Sequence, residues 1–132
     1  WLPELAATAT VTTPSGNTIA VKGKGDLLLS DGFGSPTLLD LKTSSKSLND
    51  WKRNAWYGAY PRQAYMYKEL FDAEEFHFAV ITKTFPYEVG IFKASPAFLA
   101  KGKRMFEESI SKYEDLFING NYKPYSATVE LL

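Results

Sequence analysis

The sequence contains the stretch Thr37-Leu38-Leu39-Asp40-Leu41-Lys42-Thr43, a short apolar run with one carboxylate in its middle. The leucines predict a β-strand, which begins after the turn residues Asp31 to Pro36. A carboxylate among leucines costs free energy unless it is paired, hydrogen-bonded or bound to a metal ion. Because side chains alternate between the two faces of a strand, Asp40 and Lys42 share one face. The carboxylate and the ammonium are therefore within reach of each other.

A second carboxylate occupies a similar position one strand earlier. Asp26 follows Gly23-Lys24-Gly25 and precedes three leucines. If the two strands pair, two carboxylates and the Lys42 ammonium converge on one patch. Paired carboxylates bind Mg²⁺ or Mn²⁺, which prefer oxygen ligands, and such an ion activates water and offsets charge on a phosphoryl group. A lone aspartate at a strand end is usually a turn or cap residue, so it is the combination that predicts phosphodiester hydrolysis.

The flanking sequence predicts a mixed α/β sandwich of order β-β-β-α-β-β-α, with helices flanking a central mixed sheet. The predicted strands are Glu4–Thr13, Thr18–Ser30, Thr37–Thr43, Glu75–Thr84 and Tyr87–Lys93. Ser44 to Asn54 is polar and predicts a loop, although it contains Trp51. One helix follows with Pro61 in its first turn, and a second begins at the Ser95 N-cap and stops at Asn119-Gly120.

The composition excludes several classes of protein. A length of 132 residues fits one domain, and a hydrophobic fraction of 45% excludes global disorder. The absence of cysteine excludes disulfides, thiolate zinc sites and iron–sulfur clusters, and fits a reducing compartment. The apolar runs are shorter than the roughly 20 residues that a membrane helix needs, so no membrane partner is expected. We expect a cytoplasmic protein.

Three elements together resemble the PD-(D/E)xK nuclease superfamily, and within it the RecB/RecE-like (phage-type) exonucleases. They are a Gly-x-x-Asp strand at Gly23–Asp26, an Asp-x-Lys-Thr strand at Asp40–Thr43 and a Gln-x-x-x-Tyr helix at Gln63–Tyr67. The resemblance covers residues 18–92. It implies a restriction-endonuclease-like core and a metal-dependent DNA exonuclease of recombination, repair or phage replication, in a bacterial or phage-infected cell.

The resemblance also implies a role for each matched residue. Asp26, Asp40 and the Leu41 backbone carbonyl would be ligands of Mg²⁺ or Mn²⁺, and Lys42 would be the catalytic lysine. The last two matched residues, Gln63 and Tyr67, would line the DNA-side wall of the site; four residues apart, they share a helix face.

Two departures from the group concern the N-terminal part of the sequence. Relatives place a glutamate before the motif aspartate, a position that Glu4 could fill; the alternative is an exposed carboxylate at a strand end. Many relatives also carry a metal-binding histidine in an N-terminal helical region. We expect the single domain 1–132 to lack that region, and His77, which lies in an apolar strand, to be structural.

Basic residues cluster beside the proposed site. Residues 42–68 contain six basic side chains and one acidic side chain in a chain of zero net charge. Such a segment suits phosphate contacts, and aromatic residues among cations suit unpaired nucleotides. The predicted DNA contacts are Thr43, Ser44, Lys46, Trp51, Lys52, Arg53 and Arg62. The alternative is a solvated loop with Trp51 packed on the core.

Three functions remain open from the sequence. The first is an exonuclease acting on DNA, alone, as a homo-oligomer or with a recombination partner protein. The second is an endonuclease or junction resolvase on the same core. The third is a non-catalytic DNA-binding module that retains the fold. A further alternative is that the two aspartates have only a structural role.

Overall fold

The computed structural model describes residues 2–30, 36–121 and 131, and it has the mixed α+β architecture that the sequence predicts. Its strands are β1 (Leu2–Thr12), β2 (Thr18–Leu29), β3 (Thr37–Ser44), β4 (Glu75–Thr82) and β5 (Val89–Lys93). Its helices are α1 (Leu48–Tyr57), α2 (Tyr60–Leu70) and α3 (Pro96–Tyr113), and a wider π turn at Glu114–Ile118 continues α3. Apart from Pro36, the turn predicted for residues 31–36 lies outside the described residues.

The five strands form one mixed sheet in the order β1-β2-β3-β4-β5. All neighbouring strands are antiparallel except β3 and β4, which are parallel and are connected through α1 and α2. The Pro14–Asn17 turn joins β1 to β2, with Gly16 at a φ of 88° that favours glycine. The central mixed sheet of the prediction is confirmed.

Helix α1 was not predicted. Residues 44–54 were expected to form a loop, but the chain becomes helical at Leu48. The Ser47 hydroxyl accepts a hydrogen bond from the Asp50 backbone N–H at 3.2 Å and so caps the first turn. Trp51 and Ala55, one turn apart, are the buried residues of this helix. The order is therefore β-β-β-α-α-β-β-α. Leu48, which is partly buried, lies on the same face of α1 as Trp51 and Ala55, so the helix has a narrow apolar stripe among polar residues.

The hydrophobic core lies between the helices and one face of the sheet. It is built from Leu38, Trp51, Ala55, Ala64, Phe76, Phe78 and Val80. Helices α2 and α3 approach closely at Gly102, where an added Cβ would overlap the Pro61 carbonyl. None of the described helices is long and apolar enough to cross a membrane. This packing fixes α2 above β2 and β3, the two strands that carry the motif carboxylates.

Candidate active site

The pairing of β2 with β3 brings the two motif carboxylates together. Leu28 pairs with Leu38 and Leu27 with Leu39, so the next step of this register sets Asp26 beside Asp40. Asp26 Oδ2 accepts a hydrogen bond from the Leu41 backbone N–H at 2.8 Å. The hydrogen bond ties the Asp26 carboxylate to β3, one residue beyond Asp40.

The environment of Asp40 opposes its ionisation. Asp40 is only 5% exposed, and its burial raises the pKa of the carboxyl, an effect that Lys42 counteracts and nearby Asp26 reinforces. Asp40 Oδ1 accepts a hydrogen bond from Gln63 Nε2 at 3.3 Å, while Oδ2 lies 2.9 Å from Lys42 Nζ. Within the described residues, Oδ2 accepts no well-aligned hydrogen bond. A carboxylate oxygen carries more than one lone pair, so Oδ2 could also ligate a hard cation beside the Lys42 contact.

Lys42 is held from two sides. Its ammonium faces Asp40 on one side, and on the other it lies 4.9 Å from the ring centroid of Tyr60. Tyr60 in turn stacks on Trp51, with 5.6 Å between ring centroids. Lys42 is thus placed by an ion pair and a cation–π contact. Tyr60 was missed in the sequence because it precedes the Gln-x-x-x-Tyr motif and only the packing of α2 brings it to Lys42.

The two residues of the helix motif have different contacts. Gln63 reaches Asp40, whereas Tyr67 packs on Phe71 with ring centroids 6.3 Å apart. The Tyr67 ring also lies 2.9 Å from the point that a Cβ at Gly23 would occupy. A larger residue at position 23 would therefore force the Tyr67 and Leu70 side chains to shift. Gln63 belongs to the carboxylate cluster, and Tyr67 covers the strand that leads to Asp26.

The remaining acidic candidate is not brought into this cluster. Glu4 lies on β1, where its carboxylate is 3.8 Å from Lys24 Nζ and 76% exposed. Throughout residues 2–30, 36–121 and 131, no group of three or more His, Cys, Asp or Glu could hold a metal ion. His77 neighbours Phe78, the partner of Asp40, so strand alternation directs it to the opposite face of the sheet. Asp26 and Asp40 are left as the carboxylate pair.

This pair, with a backbone carbonyl, fits a magnesium-like ion. Mg²⁺ retains several water ligands and is commonly bound through one or two carboxylates. The buried, poorly hydrogen-bonded Oδ2 of Asp40 supplies one suitable oxygen. The donors are all oxygen, which suits Mg²⁺ or Mn²⁺ better than softer metals.

Four of the predicted DNA contacts line a cleft at the carboxyl end of β3. The cleft has a volume of about 370 Å³ and also includes Tyr60 and Lys83. The four predicted residues that line it are Thr43, Ser44, Lys46 and Trp51. Ser44 Oγ accepts from the Lys46 backbone N–H at 3.0 Å, so this hydroxyl closes the turn after β3.

Trp51 requires a correction. Its side chain is not an exposed stacking platform, because Trp51 is 6% exposed. The indole lies between Tyr60 and Phe92, whose ring centroids are 5.6 and 5.3 Å away. Lys52 and Arg53 are exposed on α1. Arg62 donates to Ser109 Oγ at 3.0 Å and so links α2 to α3.

Comparisons with known proteins identify related folds. No family model and no curated protein matches the sequence. The crystal structure of SSO0001 is 19% identical, with a TM-score of 0.57 over 84% of this chain and 50% of that one. A "putative exonuclease" from Eubacterium rectale is 16% identical, with a TM-score of 0.64 over 98% of this chain and 55% of that one. At these identities the likeness concerns the fold, and the chain spans about half the length of either structure.

Proposed function

We propose that this chain carries a metal-dependent deoxyribonuclease site of the PD-(D/E)xK type and acts as a DNA exonuclease. One observation carries the proposal: Asp26 and Asp40 lie side by side on paired strands, with Lys42 Nζ 2.9 Å from Asp40 Oδ2. A module that only binds DNA has no need of a buried carboxylate beside a second one. The fold that the chain shares with a "putative exonuclease" is consistent with this chemistry.

In the proposed mechanism each residue has a defined task. Asp26, Asp40 and the Leu41 carbonyl would hold Mg²⁺ or Mn²⁺, which when bound lowers the pKa of a water ligand and offsets charge on the phosphoryl group. Gln63 fixes the orientation of the Asp40 carboxylate through Oδ1. Lys42 stabilises the negative charge that develops on the phosphoryl oxygens during attack by water. The attacking water loses a proton to solvent as its oxygen bonds to phosphorus, and the leaving oxygen takes up a proton from solvent as its bond to phosphorus breaks.

The proposed substrate is DNA, for which the surface around the site offers cations. Lys46 and Lys83 line the cleft at the end of β3, beside Thr43 and Tyr60. Lysine side chains in such positions bind phosphates as mobile point charges. The proposed recombination or repair role, and any homo-oligomer or protein partner, follow from the exonuclease hypothesis rather than from this cleft.

Degradation of linear and covalently closed circular DNA tests the proposal. With Mg²⁺ or Mn²⁺ the wild type should degrade the linear DNA and spare the circle. Asp40→Ala and Lys42→Ala should each lower the rate by about 100-fold or more. Glu69→Ala and Lys22→Ala remove exposed charges of the same sign elsewhere and should cleave like the wild type.

The other outcomes separate the alternatives. Activity that survives both Asp40→Ala and Lys42→Ala would refute the assignment of the site. Cleavage of the circle would replace the exonuclease by an endonuclease. Metal-independent binding of DNA by the wild type without any cleavage would identify a non-catalytic module.

A further inference from the structure

A second cavity lies on the other side of α1 from the cleft at the end of β3. It is a groove of about 720 Å³ between α1, β5 and the first turn of α3. Its apolar lining includes Trp51, Phe78, Phe92 and Phe98, and Lys52, Arg53 and Lys93 are its cations. Trp51 lines both this groove and the cleft. We refer to it as the α1–α3 groove.

The charge around this groove is one-sided. The described residues that line it include three cations and no carboxylate. Lys93 is paired with Glu75 at 2.5 Å, and Arg53 lies 3.9 Å from Asp50, whereas Lys52 has no ion pair within the described part of the chain. The groove therefore favours an anionic ligand.

Two polar features adjoin the groove. Trp51 Nε1 is buried and donates no hydrogen bond to any described residue, although a buried indole N–H usually finds an acceptor. The other polar feature is the start of α3, where Ser95 caps the helix and lines the groove. The positive end of this 18-residue helix would favour an anionic ligand in the groove.

We propose that the α1–α3 groove binds one nucleotide of single-stranded DNA, with its phosphate beside Lys52, Arg53 and Lys93. Its base lies against Trp56, Phe92 and Phe98, the lining rings that are not fully buried. Each nucleotide combines a flat ring with one negative charge, which match these rings and the cations of the groove. Stacking accepts any base, so the binding should not depend on sequence. The proposal rests on the proposed function, which supplies the DNA. Helix α1 separates the groove from the cleft, so a DNA strand bound in the cleft would reach the groove by crossing this helix.

Binding of a fluorescent oligothymidylate in the presence of EDTA tests the groove without cleavage. The double variant Lys52→Glu/Arg53→Glu should weaken binding at least 10-fold. Ile91→Trp fills the groove without changing charge, because Ile91 lines it and is 59% exposed, and it should weaken binding about as much. Lys103→Glu/Arg104→Glu, on the exposed surface of α3, changes the net charge equally and should weaken binding less than 3-fold.

Two-dimensional NMR of the indole N–H groups gives a direct measure of the ligand's position. Thymidine 5′-phosphate should shift the Nε1–H signal of Trp56, which lines the groove and which the variant Trp56→Phe identifies by its loss. A shift confined to other indole signals would contradict the proposal. Wild-type affinity in both Lys52→Glu/Arg53→Glu and Ile91→Trp would overturn it.

Failure of the groove and failure of the nuclease are distinguishable. Mn²⁺-dependent hydrolysis of bis(p-nitrophenyl) phosphate, compared between wild type and Asp40→Ala, tests the carboxylate site with a substrate too small to need the groove. Hydrolysis together with groove-independent binding would refute the groove alone. Absence of hydrolysis together with groove-dependent binding would refute the nuclease alone.

Discussion

Tyr60 should act as a positioning residue for Lys42, and its replacement by leucine should slow DNA cleavage. The Lys42 ammonium lies 4.9 Å from the Tyr60 ring centroid, and its side chain is 21% exposed. Cation–π contacts contribute about 0.5–1 kcal/mol at exposed sites and about 2 kcal/mol when desolvated. Because Lys42 is partly buried, we take the free energy of this contact as about 1.5 kcal/mol. If all of that free energy supports the transition state, Tyr60→Leu lowers kcat about 10-fold, since about 1.4 kcal/mol is one decade in rate.

The design separates the ring from its hydroxyl and from general loss of packing. Tyr60→Phe retains the ring face and should stay within about 3-fold of the wild type, because the contact needs no hydroxyl. Tyr65→Leu is the matched control, since it removes an aromatic contact of α2 with Phe106, 5.7 Å between centroids, away from Lys42. Single-turnover cleavage of labelled linear DNA gives the rate, and a metal titration of the same reaction gives the half-saturating metal concentration. The rate should fall for Tyr60→Leu while the metal dependence stays unchanged.

A double-mutant cycle gives the result that would refute this reasoning. In a Lys42→Ala background, Tyr60→Leu should have no further effect, because the group that it positions is absent. Equal losses for Tyr60→Leu and Tyr65→Leu would show that packing alone is responsible. An equally large loss for Tyr60→Phe would assign the effect to the hydroxyl.

Three further predictions concern metal binding, pH and packing. Mn²⁺ at about 100 times its dissociation constant should stabilise the wild type by about 2.7 kcal/mol in thermal unfolding and should leave the stability of Asp40→Ala unchanged. Because burial raises the pKa of Asp40, protons should displace the metal from this carboxylate as the pH falls. Hydrogen bonds from Thr13 and Asn17 lower the pKa of Glu114 below its ordinary value. The stabilisation that the ionised Glu114 contributes is therefore present at pH values above the ordinary pKa and is lost as the pH falls through the lowered pKa. Glu114→Gln should therefore reduce the melting temperature at about pH 7 and progressively less below about pH 4; a constant difference would contradict this. Gly102→Ala should destabilise the protein by about 1–3 kcal/mol in urea unfolding, because overlap with the Pro61 carbonyl outweighs the gain of about 1 kcal/mol in helix propensity; a stabilised variant would show that α2 and α3 are less tightly packed.

The strands and the carboxylate pair were predictable because both depend on local sequence. Apolar runs bounded by turn residues predict β2 and β3, and strand alternation predicts that Asp40 and Lys42 share a face. The β2–β3 register then sets Asp26 beside Asp40, as the pattern required. The Gln63 contact was predictable only through the resemblance, since no local rule aims a helix residue at a strand.

Features that depend on packing between distant segments were not predictable. Helix α1 is a partial exception: Leu48, Trp51 and Ala55 have the spacing of one helix face, although the polar residues around them favoured a loop. Trp51 sits among cations in the sequence, which suggested an exposed aromatic, but Phe78 and Phe92 from the sheet enclose it. The contact between Tyr60 and Lys42 likewise exists only once α2 has packed on β3.

The charges of the site explain why this sequence would keep so unfavourable an arrangement. Two carboxylates and one ammonium leave one net negative charge where burial already raises the pKa of Asp40. A sequence under selection for stability alone would replace Asp40 and Lys42 together with apolar residues, such as Leu38 on the same face of the strand. A divalent cation would convert that charge to one net positive charge, which a phosphodiester would then neutralise. The cost to the folded chain thus becomes attraction for the proposed substrate only when cation and DNA are both present, and the double variant Asp40→Leu/Lys42→Met should raise stability in EDTA while abolishing cleavage.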